Sequence, residues 1–328
     1  MPTSDSGERV DAPAAPAGLG HLLAPAVQQA CGGRLETVSW FRADWQRGGA
    51  LTGRSRFHLE EKAEPIDVIV KVPVGPGEYL WNHRLQPNES DPNGITAMLF
   101  ASGLELSGYD LAWIVIERFP EGPLFGLKRD DAIELMADAA ARFYRRASDY
   151  PVDRRPRRED WDALTDRARE NTATNRLPDR QRWRKAVKAT QKQLKSLLSE
   201  WSDRAEVMWI HGDLHPANCM SRSNRPEDPA MLIDLAEVRA GHWIEDAIYL
   251  ERMYWPRRDY LKNHPVVRLI ADRRKALGLE VEDGVSRLAD IRRTLLAATA
   301  PAFMKSEGHP SYLAACLETL EQSLSRLK

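Results

Sequence analysis

Up to about Pro120, apolar and polar residues follow strand-like patterns. Val68-Ile69-Val70-Lys71-Val72 is a β-branched run ending at Pro73, and Leu111 to Phe119 is an apolar run closed by Pro120. Both read as strands, as does Arg54 to Leu59. Between them Gly75-Pro76-Gly77 punctuates the chain, and Glu78 to Leu85 has helical composition. From about Arg129 the period changes: Ile133, Met136, Ala140 and Phe143 recur at helical spacing, and 160–203 is long, polar and helix-prone. Val207 to Ile210 and Met231 to Leu235 read as short buried strands flanking a loop. The remainder, from Ile244, is mostly helical with a break near His309-Pro310. The pattern predicts an α+β chain: a small β-rich lobe at 27–120, then a larger, mainly helical lobe at 121–328 that carries a short hairpin. Residues 1–26, rich in Ala, Pro, Ser and Asp at their start, read as a flexible tail.

Composition narrows the class. A length of 328 residues suits two lobes, and 42% apolar with 29% charged residues is ordinary for a globular protein. No apolar run approaches the ~18 residues that span a bilayer, so no membrane partner is expected. A formal net charge of −1 argues against a dedicated nucleic-acid binder. The run Arg154-Arg155-Pro156-Arg157-Arg158 is flanked by Asp153, Glu159 and Asp160 and reads as a solvated loop. Cys31, Cys219 and Cys316 form no CxxC pair, which is the usage of a reducing compartment, and the N-terminus lacks a secretory pattern. A cytoplasmic location is expected.

The sharpest chemical signal is His211-Gly212-Asp213-Leu214-His215-Pro216-Ala217-Asn218, followed by Ile233-Asp234. As spacing it is H-x-D-x4-N, then an apolar strand ending in Asp, the arrangement used for phosphoryl transfer in kinases. A carboxylate must accept a hydroxyl proton as the nucleophile attacks in line, and Asp213 suits that role. Mg²⁺ prefers hard oxygen ligands, which the Asn218 amide and the Asp234 carboxylate supply. His211, His215 and Cys219 are spaced i, i+4, i+8 as soft metal ligands on a helix would be, but Pro216 interrupts such a helix.

On these residues the chain resembles the aminoglycoside phosphotransferase and choline-kinase-like family of small-molecule kinases. The resemblance continues through Asp234, Gly241 and Asp246, which match the family's Asp, then Gly seven on, then Asp five further, and it covers roughly residues 30–255. It implies a two-lobe protein-kinase-like fold, with Asp213 as base, His211 as an orienting loop residue, Asn218 and Asp234 on Mg²⁺, and Asp246 with Gly241 as structural support. Several departures separate the chain from protein kinases: Gly212 stands where they usually carry Arg, Leu235-Ala236 replaces Phe-Gly, and no Ala-Pro-Glu motif follows. The aromatic that often follows the metal Asp in the small-molecule family is Leu235 here.

The first lobe should then hold the nucleotide, ATP or GTP. Lys71 closes its strand where the kinase pattern places a phosphate-pairing lysine. Its carboxylate partner is expected from the next helix, with Glu78 first and Glu89 as the fallback. Arg47-Gly48-Gly49-Ala50-Leu51-Thr52-Gly53 is the candidate phosphate-covering loop, small residues letting backbone N–H groups approach phosphate. No G-x4-G-K-[ST] occurs, which removes P-loop NTPases. By resemblance, the backbone of Glu117-Arg118-Phe119 would hydrogen-bond the adenine.

Two other functions compete with a kinase. Gly212-Asp213-Leu214-His215 is similar to the GD-x-H element of two-metal phosphoesterases, but those sites need further carboxylate and histidine ligands, and no G-N-H occurs. A non-catalytic nucleotide-binding kinase fold is disfavoured by the intact Lys71, Asp213, Asn218 and Asp234 set. The helical stretches carry 20 bases against 15 acids in 121–205 and 14 against 10 in 247–328, with Tyr249, Tyr254 and Trp255 beside Arg252, Arg257 and Arg258. That mixture suits a hydroxylated small molecule with at most one positive charge, and not a kanamycin-type aminoglycoside.

Overall fold

Helix α1 (Gly18–Ala30) opens the described chain, in a computed structural model that describes residues 18–41, 50–60, 64–89, 91–124, 131–175, 177–204, 207–223, 225 and 228–328. The helix begins inside the segment read from its composition as a tail. Leu23, Ala24, Val27 and Cys31 recur at helical spacing and pack into a core, which outweighs the Pro and Ala content around them. The chain divides into two compact units: residues up to His83 with Ala97–Arg118, and Arg84–Thr96 with Phe119–Lys328. The boundary expected at 120 therefore falls at Arg118, and a short excursion of the first lobe belongs to the second unit. Arg142 explains the excursion, donating to the Gly94 carbonyl and pairing with Asp91, while Leu232 N–H donates to Ile95 O at 2.8 Å.

In the first unit, β1 (Ser39–Phe41), β2 (Leu51–Phe57), β3 (Ile66–Val72), β4 (Leu99–Gly103) and β5 (Trp113–Glu117) form one antiparallel sheet in the order β1-β2-β3-β5-β4. Strand β3 alternates as its sequence demands: Val68, Val70 and Val72 are fully buried with Phe57, Trp113 and Val115, while Lys71 is on the other face. Helix α2 (Pro76–Arg84) follows β3, with Glu78 in its first turn and buried. Strands β1 and β4 were not expected. They are short, and neither carries the β-branched run that marks β3.

The second unit is helical. Helix α3 (Ala132–Ala147) buries Ile133, Met136, Ala140 and Phe143, the predicted stripe. The 160–203 segment forms α4 (Trp161–Thr174) and α5 (Arg180–Ser202). Four strands make two ribbons: β6 (Met208–Ile210) pairs with β9 (Arg239–Gly241), and β7 (Cys219–Met220) with β8 (Met231–Leu232). Then follow α6 (Trp243–Arg252), α7 (Arg258–Asn263), α8 (Val266–Ala276), α9 (Val285–Thr299), α10 (Met304–Glu307) and α11 (Pro310–Arg326), the last starting at the predicted break. The strand expected over Met231 to Leu235 is shorter than its apolar run. Asp234 takes a left-handed conformation (φ 61°, ψ 65°), and Leu235–Glu237 turn as a 3₁₀ helix.

Candidate active site

The loop between β6 and β7 is fastened from beneath by Asp246. Its two carboxylate oxygens each accept a backbone N–H at 2.8 Å, from His211 and Gly212, and Tyr144 Oη donates to one of them at 3.0 Å. Asp246 is buried, and burial pushes its carboxyl pKa up against the two backbone donors. Helix α6 presents it at a fixed place. His242 and Glu245 form a reciprocal capping box at the helix start, so Asp246 lies in an anchored first turn.

Gly212 is required here by two independent constraints. Its φ is +81°, and a Cβ would sit 2.2 Å from the Glu237 carbonyl oxygen. The loop therefore lies against the Leu235–Glu237 turn too closely for the arginine common in protein kinases. Gly241 has a different reason: a Cβ would meet Ile210 Cδ1 at 2.5 Å, so the glycine lets β9 lie on β6.

His211 is fully buried and its tautomer is fixed. Nδ1 accepts the Asp213 N–H at 3.3 Å, which leaves Nε2 to donate to Ile233 O at 3.1 Å. Burial lowers its pKa, so the ring is a neutral spacer between the loop and the end of β8. Both nitrogens are engaged, which removes it as a soft-metal ligand. His215 caps the 3₁₀ turn Pro216–Asn218 by accepting the Ala217 N–H at 3.2 Å, and so points Nε2 at Asp213 Oδ2, 3.4 Å away. No helix holds the histidines and Cys219 in register, as Pro216 predicts.

Asp213 collects the loop's donors. The Asn218 side-chain N–H₂ donates to its carboxylate at 2.9 Å and to its carbonyl at 3.0 Å. Because a carboxylate can only accept, the amide oxygen of Asn218 is turned the other way. Burial opposes ionisation of Asp213, but hydrogen bonds from His215 and Tyr249 outweigh it and hold the pKa at about 2. Burial first, and then the Asp213 charge, push Tyr249 up to about 12, so it remains a phenol that donates. The Arg252 guanidinium lies 4.2 Å from the Tyr249 ring centre. Tyr249 is three residues past Asp246 on α6, so an i, i+3 reading of that helix could have placed it beside the loop. Tyr144 gave no such signal.

Asn218 and Asp234 come together through the β7–β8 ribbon: Ile233 N–H donates to Asn218 O at 3.0 Å, next to the Cys219–Leu232 pair. The left-handed Asp234 is exposed, a conformation that Asp tolerates better than most residues and that Ser107 and Asp179 share. Among the described residues no three His, Cys, Asp or Glu side chains gather to hold a metal. An amide oxygen and one carboxylate fit Mg²⁺, which keeps several waters and phosphate oxygens in its shell.

In the first unit Lys71 pairs with Glu78, and both side chains are largely buried (14% and 6% exposed). The sequence's first choice of partner is the one formed; Glu89 falls in the second unit. Gly48 and Gly49 lie outside the described residues. Gly53 does not belong to a loop: it is inside β2, paired with Trp40 and Val70, and a Cβ there would meet Val38 Cγ1 at 2.4 Å. It is a packing glycine, and the expected phosphate loop can extend no further than β2's start at Leu51. Glu117 ends β5, its N–H bonded to Met98 O at 2.8 Å and its carboxylate accepting the Met98 N–H at 3.2 Å; Arg118 N–H bonds Asp67 O. These two N–H groups are already paired, so an adenine contact from this segment would use other backbone groups. Phe119 begins the second unit, buried under the Arg222 guanidinium 5.6 Å away.

A five-stranded antiparallel unit followed by a helical unit bearing this loop defines a kinase-like phosphotransferase. The chain belongs to the phosphotransferase enzyme family, whose model matches residues 81–291. No curated protein matches it. Its fold is similar to that of an aminoglycoside phosphotransferase from Alicyclobacillus acidocaldarius (TM-score 0.54, 15% identity, 98% of this chain and 97% of that one). It is similar as well to a microcompartment-associated aminopropanol kinase (0.54, 14%, 91% and 94%). A spectinomycin phosphotransferase solved with ADP and spectinomycin is a third match (0.54, 11%, 92% and 98%). At these identities the likeness is one of fold.

Proposed function

We propose that this phosphotransferase is a Mg²⁺-dependent small-molecule kinase that moves the terminal phosphate of ATP, or GTP, to a hydroxyl, with Asp213 receiving the hydroxyl proton. The observation that carries the reading is the treatment of Asp213. It is fixed by Asn218, His215 and Tyr249 on a loop fastened by Asp246, and is ionised down to about pH 2. So acidic a carboxylate is a weak base. It suits a loose transition state in which the hydroxyl is oriented first and loses its proton late.

Asn218 and Asp234 would hold the cation, which when bound neutralises phosphate oxygens. Asn218 then has two tasks, its N–H₂ steadying Asp213 and its oxygen facing the metal. In the first unit, Lys71 would pair with nucleotide phosphate, kept extended by Glu78. The acceptor carries at most one positive charge, because Arg252 stacks on Tyr249, which itself bonds Asp213, and a polycation would meet that guanidinium. Nothing favours a phosphoesterase: its further histidine and carboxylate ligands do not gather around Asp213 among the described residues. The test is a screen of hydroxylated metabolites for acceptor-dependent ADP or GDP release. Phosphate release without nucleotide would overturn the reading.

A further inference from the structure

We propose that the second unit carries a binding pocket for a small oxyanion, a phosphate- or carboxylate-bearing molecule, walled by the arginine-rich segment before α4 and by the end of α5. The pocket has a volume of about 440 Å³ and is lined by Arg155, Arg158, Arg204, Trp161, Trp201 and Ser202, among others. That size is in the range of small-molecule sites. The inference does not depend on the kinase reading, because none of these residues belongs to the loop around Asp213.

Charge is the reason. Behind the pocket Arg204, Arg239 and Arg292 converge on Glu245 and Glu159. Arg239 bonds Glu245 at 2.9 Å, Arg292 bonds Glu159 at 2.9 Å and reaches Glu245 only at 3.8 Å, and Arg204 reaches Glu245 at 3.4 Å. Three guanidinium groups thus share these two carboxylates, with Asp246 also within range of the Arg239 charge. Arg292 is buried and Arg204 partly so, their side chains 6% and 8% exposed, and their Nε atoms, with one Nη of Arg292, have no hydrogen-bond partner among the described residues. Burial lowers the pKa of Arg204, with Glu245 and Glu159 opposing and Arg292 and Arg239 reinforcing it. Such an excess is costly in a low-dielectric setting unless an anion completes it.

The walls make the setting apolar. Trp161 and Trp201 are both 5% exposed, and the Arg204 guanidinium lies 4.3 Å from the Trp201 ring centre. At the mouth, Arg155 and Arg158 are exposed and meet no carboxylate among the described residues, while Arg157 makes only a 3.8 Å contact with Glu237. The charged residues that line the pocket are Arg155, Arg157, Arg158, Arg204 and one carboxylate, Glu159, which is bonded to Arg292. The basic run that reads as a solvated loop in sequence is therefore one wall of a concave, positively charged site. Planar guanidinium forks on such a wall match the geometry of phosphate or carboxylate.

Calorimetric titration of the full-length protein at constant ionic strength, with inorganic phosphate and separately with acetate, tests this. One-site binding is expected, weakened about tenfold or lost in the exposed double variant Arg155→Ala/Arg158→Ala. Binding should be unchanged in Arg154→Ala, which does not line the pocket, and in Lys71→Met/Glu78→Leu, which removes both charges of the buried pair. The tighter of the two anions identifies the group that the ligand carries. Absence of binding, or binding that survives the double variant, overturns the proposal. Binding lost in Lys71→Met/Glu78→Leu instead assigns the anion to the nucleotide machinery and overturns it equally.

Discussion

The Asn218 side chain donates to Asp213 twice, to its carboxylate at 2.9 Å and its carbonyl at 3.0 Å, so one amide fixes both the rotamer and the backbone of the proposed base. Asn218→Ala removes both bonds together with the proposed metal ligand. It is expected to lower kcat by about 10²-fold or more and to raise the Mg²⁺ concentration needed for half-maximal rate. Asn218→Asp keeps an oxygen for the metal but places a second carboxylate against Asp213. It should recover Mg²⁺ binding without recovering kcat. Equal recovery of both would show that steadying Asp213 is not the task of the amide.

Gly212→Ala places a methyl group where the Glu237 carbonyl already lies, at a backbone angle that L residues resist. The loop must move or the turn must yield, at a cost of about 2 kcal/mol or more. Chemical denaturation reads it directly. A variant within about 0.5 kcal/mol of the parent, an ordinary surface effect, would contradict the packing described.

Much of this site was legible because its spacing is dictated by chemistry. Asp213, Asn218 and Asp234 stand at the spacing that phosphoryl-transfer chemistry would require, Asp246 stands where the family resemblance puts it, and the alternation of Val68, Val70 and Val72 leaves Lys71 on the opposite face of β3. What was missed lacks such a local signature. Tyr144 reaches Asp246 from a helix 102 positions away in sequence, through a contact that no periodicity encodes. Gly53 looks like loop glycine in sequence, yet it is a strand residue whose missing side chain makes room for Val38. Helix α1 hides in a segment of Pro and Ala because its apolar stripe is short.

Lys71→Met leaves Glu78 buried without its ammonium partner, and loss of activity alone would be ambiguous, since breaking a buried pair costs about 3–5 kcal/mol. The double variant Lys71→Met/Glu78→Leu removes both charges and should recover most of the stability. Its KM for nucleotide is expected to stay raised by about tenfold or more, with acceptor KM little changed. Recovery of nucleotide KM alongside stability would make the pair structural only.

Stability in acid follows from Asp213. Its folded pKa, about 2, lies below the ordinary 3.8, so its ionised form stabilises the fold above about pH 4, and that contribution is lost as the pH falls through 2. Between pH 4 and pH 2 the parent should lose up to about 2 kcal/mol more than Asp213→Asn. Unfolding free energies of the two proteins over that window check the sign. Parallel curves would mean that Asp213 is not held by its donors.

Polycationic acceptors should be poor substrates, because Arg252 stands over Tyr249 beside the proposed base. Across a kanamycin-type panel, kcat/KM is expected to stay below about 10⁴ M⁻¹s⁻¹, the low end of the usual range. A higher value for any member would contradict the charge argument.

The central claim is that Asp213 takes the acceptor's proton, and single-turnover phosphoryl transfer by Asp213→Asn, with nucleotide affinity measured on the same protein, tests it most directly. The amide keeps the shape and hydrogen-bond reach but removes the base, so the chemical step should slow by about 10²–10⁴-fold while nucleotide affinity changes little. A chemical step within about threefold of the parent would contradict the assignment of Asp213 as base.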